Sequence, residues 1–286
     1  MLITSRHNEQ VKQIRSLADR RHRSRAGLFL VEGPQLVAEA AEVGAELVAL
    51  VVAPDLLSEE ARHAFALAAE QPAVRLIEVT PSVMESISPR HGSEGLAAVV
   101  RQRWQRLSDV DPSTAPCWVA VNQIGQPWSI GTIIRITAAV GGGGVILIGD
   151  STDPYETMAV RASLGMVLSQ QLVKAGLEEF ARWAHLHGCS VVGTSPAGSA
   201  DYHAIAYRPP VVVFMGSERI GLSAEQQAVC DTMVRIPMAG RCESHHVAVA
   251  TGVVLYEIFN QLRAQDEPLR NAGWQPRPAR PARMGR

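Results

Sequence analysis

The chain has 286 residues, more than one ordinary domain of about 100–200 residues needs, so two domains are expected. Hydrophobic residues make up 47% and charged residues 19%, which excludes a disordered or fibrous chain. The formal net charge is −1, so any anionic partner must be recognised by local clusters rather than by bulk charge. No apolar run approaches the ~18 residues that cross a bilayer, and the opening MLITSRHNEQ lacks the apolar stretch of a secretory leader; a cytoplasmic protein is expected. Cys117, Cys189, Cys230 and Cys242 are scattered, without a CxxC pair or a histidine at ligand spacing. They read as reduced thiols, and no metal is expected.

Residues 1–103 alternate helical and strand-like patterns. In HNEQVKQIRSLADRR, Val11, Ile14 and Leu17 share a face with Lys12, Arg15 and Arg20 around it, which predicts a basic amphipathic helix. Arg21, Arg23 and Arg25 follow in a charged turn. GLFLVEG predicts a strand and PQLVAEAAEVG a helix opened by proline. LVALVVAP, VRLIEVT and LAAVVRQ predict three more strands, with helices around 61–69 and 82–87 between them. This is a small α/β domain. Residues 104–116 are polar and end in prolines, and are predicted to be a linker.

From 117 to 264 the strands become near-continuous apolar runs: CWVAV, GVILIG, SVVGTS, VVVFMG and MVRIPM. Such runs suit a parallel sheet covered on both faces, with helices between the strands. The tail, 265–286, sets Pro276, Pro278 and Pro281 among Arg277, Arg280, Arg283 and Arg286; it has too little apolar content to pack and is expected to be disordered.

Gly141–Gly144 invites a dinucleotide-binding reading. In that fingerprint the glycines follow a strand and open a helix, whereas here they end the helical IGTIIRITAAV and lead into VILIG. A left-handed helix cap and a tight turn are expected instead.

Three other segments follow strands of the second domain, where open α/β sheets gather ligands. NQIGQPWSIGTIIR is a Gly/Pro loop feeding a helix that carries Arg135 one turn past Gly131. In FMGSERIGLS, Gly216 is expected to let backbone approach a ligand, and Glu218 adds a charge. In IPMAGRCESHHVAVATGVVLYE, Ser244 stands where an N-cap belongs, and Val247, Ala250, Thr251, Val254 and Ile258 mark a buried helix face. Each segment taken singly could be a solvated turn or a helix cap.

Together, in this order, they resemble the three signature motifs of the SpoU (TrmH-type) family of the SPOUT superfamily, whose members methylate the ribose 2′-hydroxyl of ribosomal or transfer RNA. DPYETMAVRASLGMV, with Arg161, is similar to that family's connecting segment, and NEQVKQIRSLADRRHRSRAGLFLVEGPQLVAEA resembles the ribosomal-protein-like RNA-binding domain many members carry in front. The resemblance spans roughly residues 5–262. It implies a C-terminal SPOUT domain with a deep trefoil knot, S-adenosylmethionine as cofactor, and a homodimer whose catalytic pocket both subunits line. Carried over by position, it implies cofactor contacts at Thr194, Gly216, Ile236, Met238 and His245. Arg135 would meet phosphate or the target ribose, Glu218 would hold the loops or an arginine, and Ser244 would bond near the reacting hydroxyl.

The chain departs from the family pattern beside that pocket. Ser129 stands for a usual Asn, Trp128 for a glycine, and His245 and His246 for Leu and Asn. A guanidinium is too weak an acid to serve readily as base, so Arg135 could position RNA while His246 supplies or relays the basic function; alternatively His246 is a tolerated change. RNA would be held first by phosphate contacts from Lys12, Arg15, Arg21, Arg23, Arg25 and Arg161, with ribosomal RNA favoured. Two rival readings stay open: an RNA-binding or ribosome-assembly factor that keeps the fold with altered or lost catalysis, and a SPOUT enzyme that methylates a base nitrogen.

Overall fold

The computed structural model describes residues 2–88 and 94–265; the tail expected to be disordered lies, from residue 266 on, outside the described residues. The first half runs α1 (Glu9–Ser16), α2 (Arg20–Ala26), β1 (Leu28–Glu32), α3 (Pro34–Glu42), β2 (Leu47–Val52), α4 (Glu59–Ala69), β3 (Arg75–Glu78), α5 (Pro81–Ile87), β4 (Leu96–Arg101). Its strands form one sheet in the order β1-β4-β2-β3, antiparallel except for the parallel β2–β3 pair. Val11, Ile14, Val83 and Met84 of α1 and α5 cover one face, and Val37, Ala40, Ala61 and Ala64 of α3 and α4 cover the other.

The predicted charged turn at Arg21–Arg25 is a helix, α2. The Asp19 carboxylate accepts from the N–H groups of Arg21 and His22 at 2.8 and 3.1 Å, and Gly27 closes the helix at φ 64°. Those backbone bonds, His22's foremost, hold the Asp19 carboxyl below its ordinary range.

The second half runs β5 (Cys117–Asn122), α6 (Pro127–Ala139), β6 (Gly144–Ile148), α7 (Thr157–Ala162), β7 (Gln171–Ala175), α8 (Leu177–Leu186), β8 (Ser190–Thr194), β9 (Ala200–Asp201), β10 (Val211–Met215), α9 (Ala224–Gln227), β11 (Thr232–Arg235), α10 (Val247–Gln265). Seven strands, every pair parallel, lie in the order β7-β6-β5-β10-β8-β11-β9. Alternation along β5 sends Val119 and Val121 to the face covered by α6, α7 and α10, and Trp118 and Ala120 to the face that packs Phe180 and Trp183 of α8. The edge strand β7 was absent from the predicted set because Lys174 interrupts its apolar run. The glycine run behaves as expected: α6 ends at Ala139, Gly141 takes φ 75°, and Gly142 N–H donates to Thr137 O at 2.8 Å. A side chain at Gly143 would collide with the Trp118 ring, so close packing rather than a ligand explains that glycine.

The two sheets share one core, in which Phe29, Val31 and Leu36 meet Tyr155, Val160 and Val167. The Tyr155 hydroxyl donates to Arg103 O at 2.7 Å, and its ring lies 4.6 Å from Phe29 and 5.2 Å from Trp104. Residues 104–116 are not a free tether. Leu107 and Val110 are buried under α8, Gln105 N–H donates to Leu172 O at 2.9 Å, and the Trp118 and Trp183 indoles donate to Pro112 O and Val110 O. The polar composition of this stretch concealed two apolar anchors at 3-residue spacing.

The same joint corrects the expectation that Arg23 contacts RNA and engages Arg161 as well. Arg23 points inward: it is 2% exposed, pairs with Asp153 at 2.9 Å, and donates to Leu17 O and Ala18 O. Arg161 is ion-paired with Glu32 across the same joint. Both side chains hold the halves together; Arg23 is not presented to a phosphate, whereas Arg161 keeps 20% of its side chain exposed. By contrast Lys12, Arg15, Arg21 and Arg25 are exposed.

Among the described residues no helix is long and apolar enough to cross a membrane, and no group of three His, Cys, Asp or Glu side chains could hold a metal. All four cysteines are free; burial pushes the thiols of Cys117 and Cys230 up to about 12 and that of Cys189 to about 11.

Candidate functional site

The strand order reverses at β5: the chain moves outward to β6 and β7, then returns to the other side for β8 and β10. A crevice therefore opens between the loops after β5 and β10, the place where open α/β sheets bind ligands. The loop after β10 closes on itself, with Ser217 and Gly221 bridged. Gly216 is required by this closure whether or not a ligand is bound, since a Cβ there would come within 2.1 Å of the Gly221 backbone. Gly131 is likewise a packing residue, since a Cβ would meet Ala159 O at 2.2 Å where α6 crosses α7.

A cavity of about 360 Å³ lies at these strand ends, walled by the turn after β8, the β10 loop and the segment from β11 to α10. All five predicted cofactor contacts, Thr194, Gly216, Ile236, Met238 and His245, line it, as do Glu218 and Ser244. Its volume lies in the range of small-molecule sites. Apolar Met215, Leu222, Val234, Ile236 and Met238 give it walls suited to a flat heterocycle, while Glu218, Glu243 and Arg219 bring charge to its lining. Sequence reasoning missed Arg219, although its setting between Glu218 and Gly221 in the second motif was visible, and missed the Ser195–Pro196 turn altogether.

The first motif joins this cavity through two contacts. Gly125 N–H donates to Glu218 Oε2 at 3.3 Å, tying the β5 loop to the β10 loop. Ser129, fully buried, lies with Oγ 3.2 Å from His246 Nε2. The other ring nitrogen of His246, Nδ1, accepts from Ala248 N–H at 3.2 Å, which fixes the proton on Nε2, so that Nε2 donates to Ser129. His246, not Ser244, therefore caps α10; Ser244 is exposed, three residues before the helix begins. Trp128 stacks on the His246 ring with centroids 4.2 Å apart and planes 15° off parallel. Trp128, Ser129 and His246, three of the departures from the family pattern, thus form one contact set joining the starts of α6 and α10. Both ring nitrogens of His246 are engaged, which suits it to positioning rather than to taking a substrate proton.

Arg135 lies outside the cavity of its own chain. It is exposed on α6, seven residues after Trp128 and on the same stripe. On α10, which packs against α6, Val249 and Tyr256 are 53% and 49% accessible at helical spacing.

A doubly covered parallel sheet with a cavity of small-molecule size at its carboxyl end defines the class of α/β protein to which the chain belongs. Residues 116–256 match the SpoU rRNA Methylase family, and residues 8–98 match an MRM3-like substrate binding domain. Over 283 residues the chain is 30% identical to an uncharacterised tRNA/rRNA methyltransferase of Synechocystis, covering 93% of this chain and 96% of that protein. It is 29% identical to the 23S rRNA (uridine(2479)-2′-O)-methyltransferase of Streptomyces viridochromogenes, covering 91% and 92%. Its fold superposes on the AdoMet-bound rRNA methyltransferase of Sinorhizobium meliloti with a TM-score of 0.84 at 34% identity, covering 92% and 98%. The chain belongs to the SpoU methyltransferase family.

Proposed function

We propose that this chain transfers a methyl group from S-adenosylmethionine to a ribose 2′-hydroxyl of structured RNA, ribosomal rather than transfer RNA, as a cytoplasmic homodimer. The observation that carries the reading is the convergence of Thr194, Gly216, Ile236, Met238 and His245 on one cavity, with the first motif bonded to its rim. The residues present fit the cofactor: the apolar walls suit an adenine, and the carboxylates of Glu218 and Glu243 suit a cationic sulfonium and ammonium. When bound, the cofactor supplies an activated methyl group. What the chain itself contributes is placement.

Glu218 holds the β5 and β10 loops together at the cavity. Ser244, exposed in the cavity lining, would bond the target hydroxyl. Arg135, fixed on a helix rather than a loop, binds the phosphate beside the target ribose and orients the nucleophile, a role that suits an always-charged planar cation better than proton abstraction. Because Arg135 lies outside its own cavity while α6 and α10 expose an apolar stripe beside it, a second copy packed on that stripe would bring Arg135 to the partner's cavity. The loops from β10 to α10 would be threaded as in the family's trefoil knot. The contact set of Trp128, Ser129 and His246 restores a bonded link between α6 and α10, which favours retained catalysis over an inactive assembly factor.

The reading is tested by incubating the protein with S-adenosylmethionine and ribosomal or transfer RNA, then cleaving in alkali. A 2′-O-methyl blocks cleavage on its 3′ side, whereas a base methyl leaves the ladder intact. A continuous ladder despite methyl incorporation would replace the ribose reading with base methylation.

A further inference from the structure

A second cavity, of about 310 Å³, lies away from the first, where α2 meets the loop 149–154 at the carboxyl ends of β6 and β7. Arg20 and Ser24, one helical turn apart on α2, face Ser151, Thr152 and Lys174 across it. Ser151, only 6% exposed, lines this cavity, and its buried hydroxyl has no hydrogen-bond partner among the described residues. A buried hydroxyl without a partner costs stability, so a native one needs an explanation. The cavity is some ten times the volume share of one water, roughly 30 Å³, so it can take more than a single bridging solvent molecule.

The charges around it are Arg20 and Lys174 against Asp150 and Asp153. Asp153 is already matched by buried Arg23 at 2.9 Å. Arg20 donates to Asp150 Oδ1 and to Ser151 O, each at 3.0 Å; the Asp150 carboxylate is 89% exposed, a surface pair weak enough to be exchanged, while the bond to Ser151 O keeps the guanidinium at the notch. Lys174 sits 3.9 Å over the Trp104 ring, and desolvation pulls its ammonium below the usual range, a situation an arriving anion relieves.

We infer that this notch binds a backbone phosphate of the RNA substrate, held by Lys174, Arg20 and the Ser151 hydroxyl. Its position supports that ligand. Exposed Arg21 and Arg25 flank the Arg20–Ser24 face of α2. On the other side, the Thr152 hydroxyl donates to Ile124 O, and the next residue, Gly125, donates to Glu218 at the rim of the cofactor cavity. Two strand spacings of about 4.8 Å separate β6 from β10, so a strand of RNA laid from α2 along the sheet edge passes the notch on its way to the reacting ribose.

The inference rests on the reading that the chain binds structured RNA, not on methyl transfer. It is tested on the full chain with total ribosomal RNA as probe, measuring affinity against salt for wild type, Lys174→Gln and Ser151→Ala. Lys174→Gln is expected to weaken binding about tenfold at low salt and to reduce the salt slope by roughly one contact, about 0.7–0.9. Ser151→Ala should weaken it a few fold while leaving the melting temperature unchanged or higher; a purely structural hydroxyl would lower it. Inorganic phosphate forms a separate arm: protection of residues 149–154 by phosphate with an unchanged RNA slope would make the notch a site for free anions and overturn the RNA assignment. Unchanged affinity and slope in both variants would overturn it as well. Failure of the wild type itself to bind RNA would instead defeat the functional reading on which it rests.

Discussion

The lining of the strand-end cavity and the arginine-rich start of the chain are both singled out by the sequence, and the structure treats them differently. At the cavity, residues far apart in the chain converge: Thr194, Gly216, Glu218, Ile236, Met238, Ser244 and His245 line one space. At Arg20–Arg25, neighbours in the chain diverge, because a helix sends successive residues to different sides. Arg23 is buried against Asp153, Arg20 leans on Asp150, and Arg21 and Arg25 face outward. A cluster of like charges in sequence is therefore not a cluster in space until its helical phase is known.

The largest effect that sharpens this contrast concerns Arg135. Arg135→Ala should lower methyl transfer by at least about a hundredfold, as loss of a group that orients a reacting centre does, while calorimetry shows cofactor affinity within a few fold of wild type. Loss of cofactor affinity together with activity would place Arg135 in the cavity instead.

Arg23 and its neighbours should split next. Arg23→Ala leaves Asp153 buried without its partner and is expected to cost about 3–5 kcal/mol in thermal or urea unfolding. Arg21→Ala and Arg25→Ala should change stability by no more than about 0.5 kcal/mol yet each flatten the salt dependence of RNA binding. Equal stability across the three would contradict the inward placement of Arg23.

His246 should give a smaller effect. His246→Ala removes the cap of α10, the bond to Ser129 and the stack on Trp128, and transfer should fall about tenfold. His246→Asn, whose amide can still accept from Ala248 N–H and donate to Ser129, should recover most of it. An Asn variant as poor as Ala would restore the histidine base as the better account.

The thiols give the smallest effect. Below pH 9 alkylation should reach Cys242 alone, because burial holds the other three protonated. Their pKa values are raised on folding, so the folded chain keeps protons that the unfolded chain loses, and stability falls as pH rises from about 9 towards 12. Rapid labelling of three or four thiols at pH 8 would contradict the buried placement.

Strands and helices with strong patterns were legible in the sequence, because Val–Ile runs and the Val11–Ile14–Leu17 phase are local signals. Lys174 hid β7, an edge strand that tolerates a charge, and the polar run 104–116 hid Leu107 and Val110. At the site, the motif spacing identified residues of the cavity lining, but not the packing that also fixes its glycines. Gly216 and Gly131 are dictated by backbone and helix contacts with Gly221 and Ala159, which no single-segment pattern reveals. The cap of α10 was misassigned to Ser244 because serine is the commoner capping residue, whereas here an imidazole nitrogen does that work. The interdomain notch has no signature in the sequence, since Arg20, Ser151 and Lys174 meet only in three dimensions.

The central claim is that three distant stretches wall one cofactor cavity while the glycine run does not. Hydrogen–deuterium exchange with and without saturating S-adenosylmethionine tests it most directly. Slowed exchange at 194–198, 215–222 and 236–247, with 141–149 unaffected, is the expected result; protection confined to 141–149, or none at saturation, would contradict it.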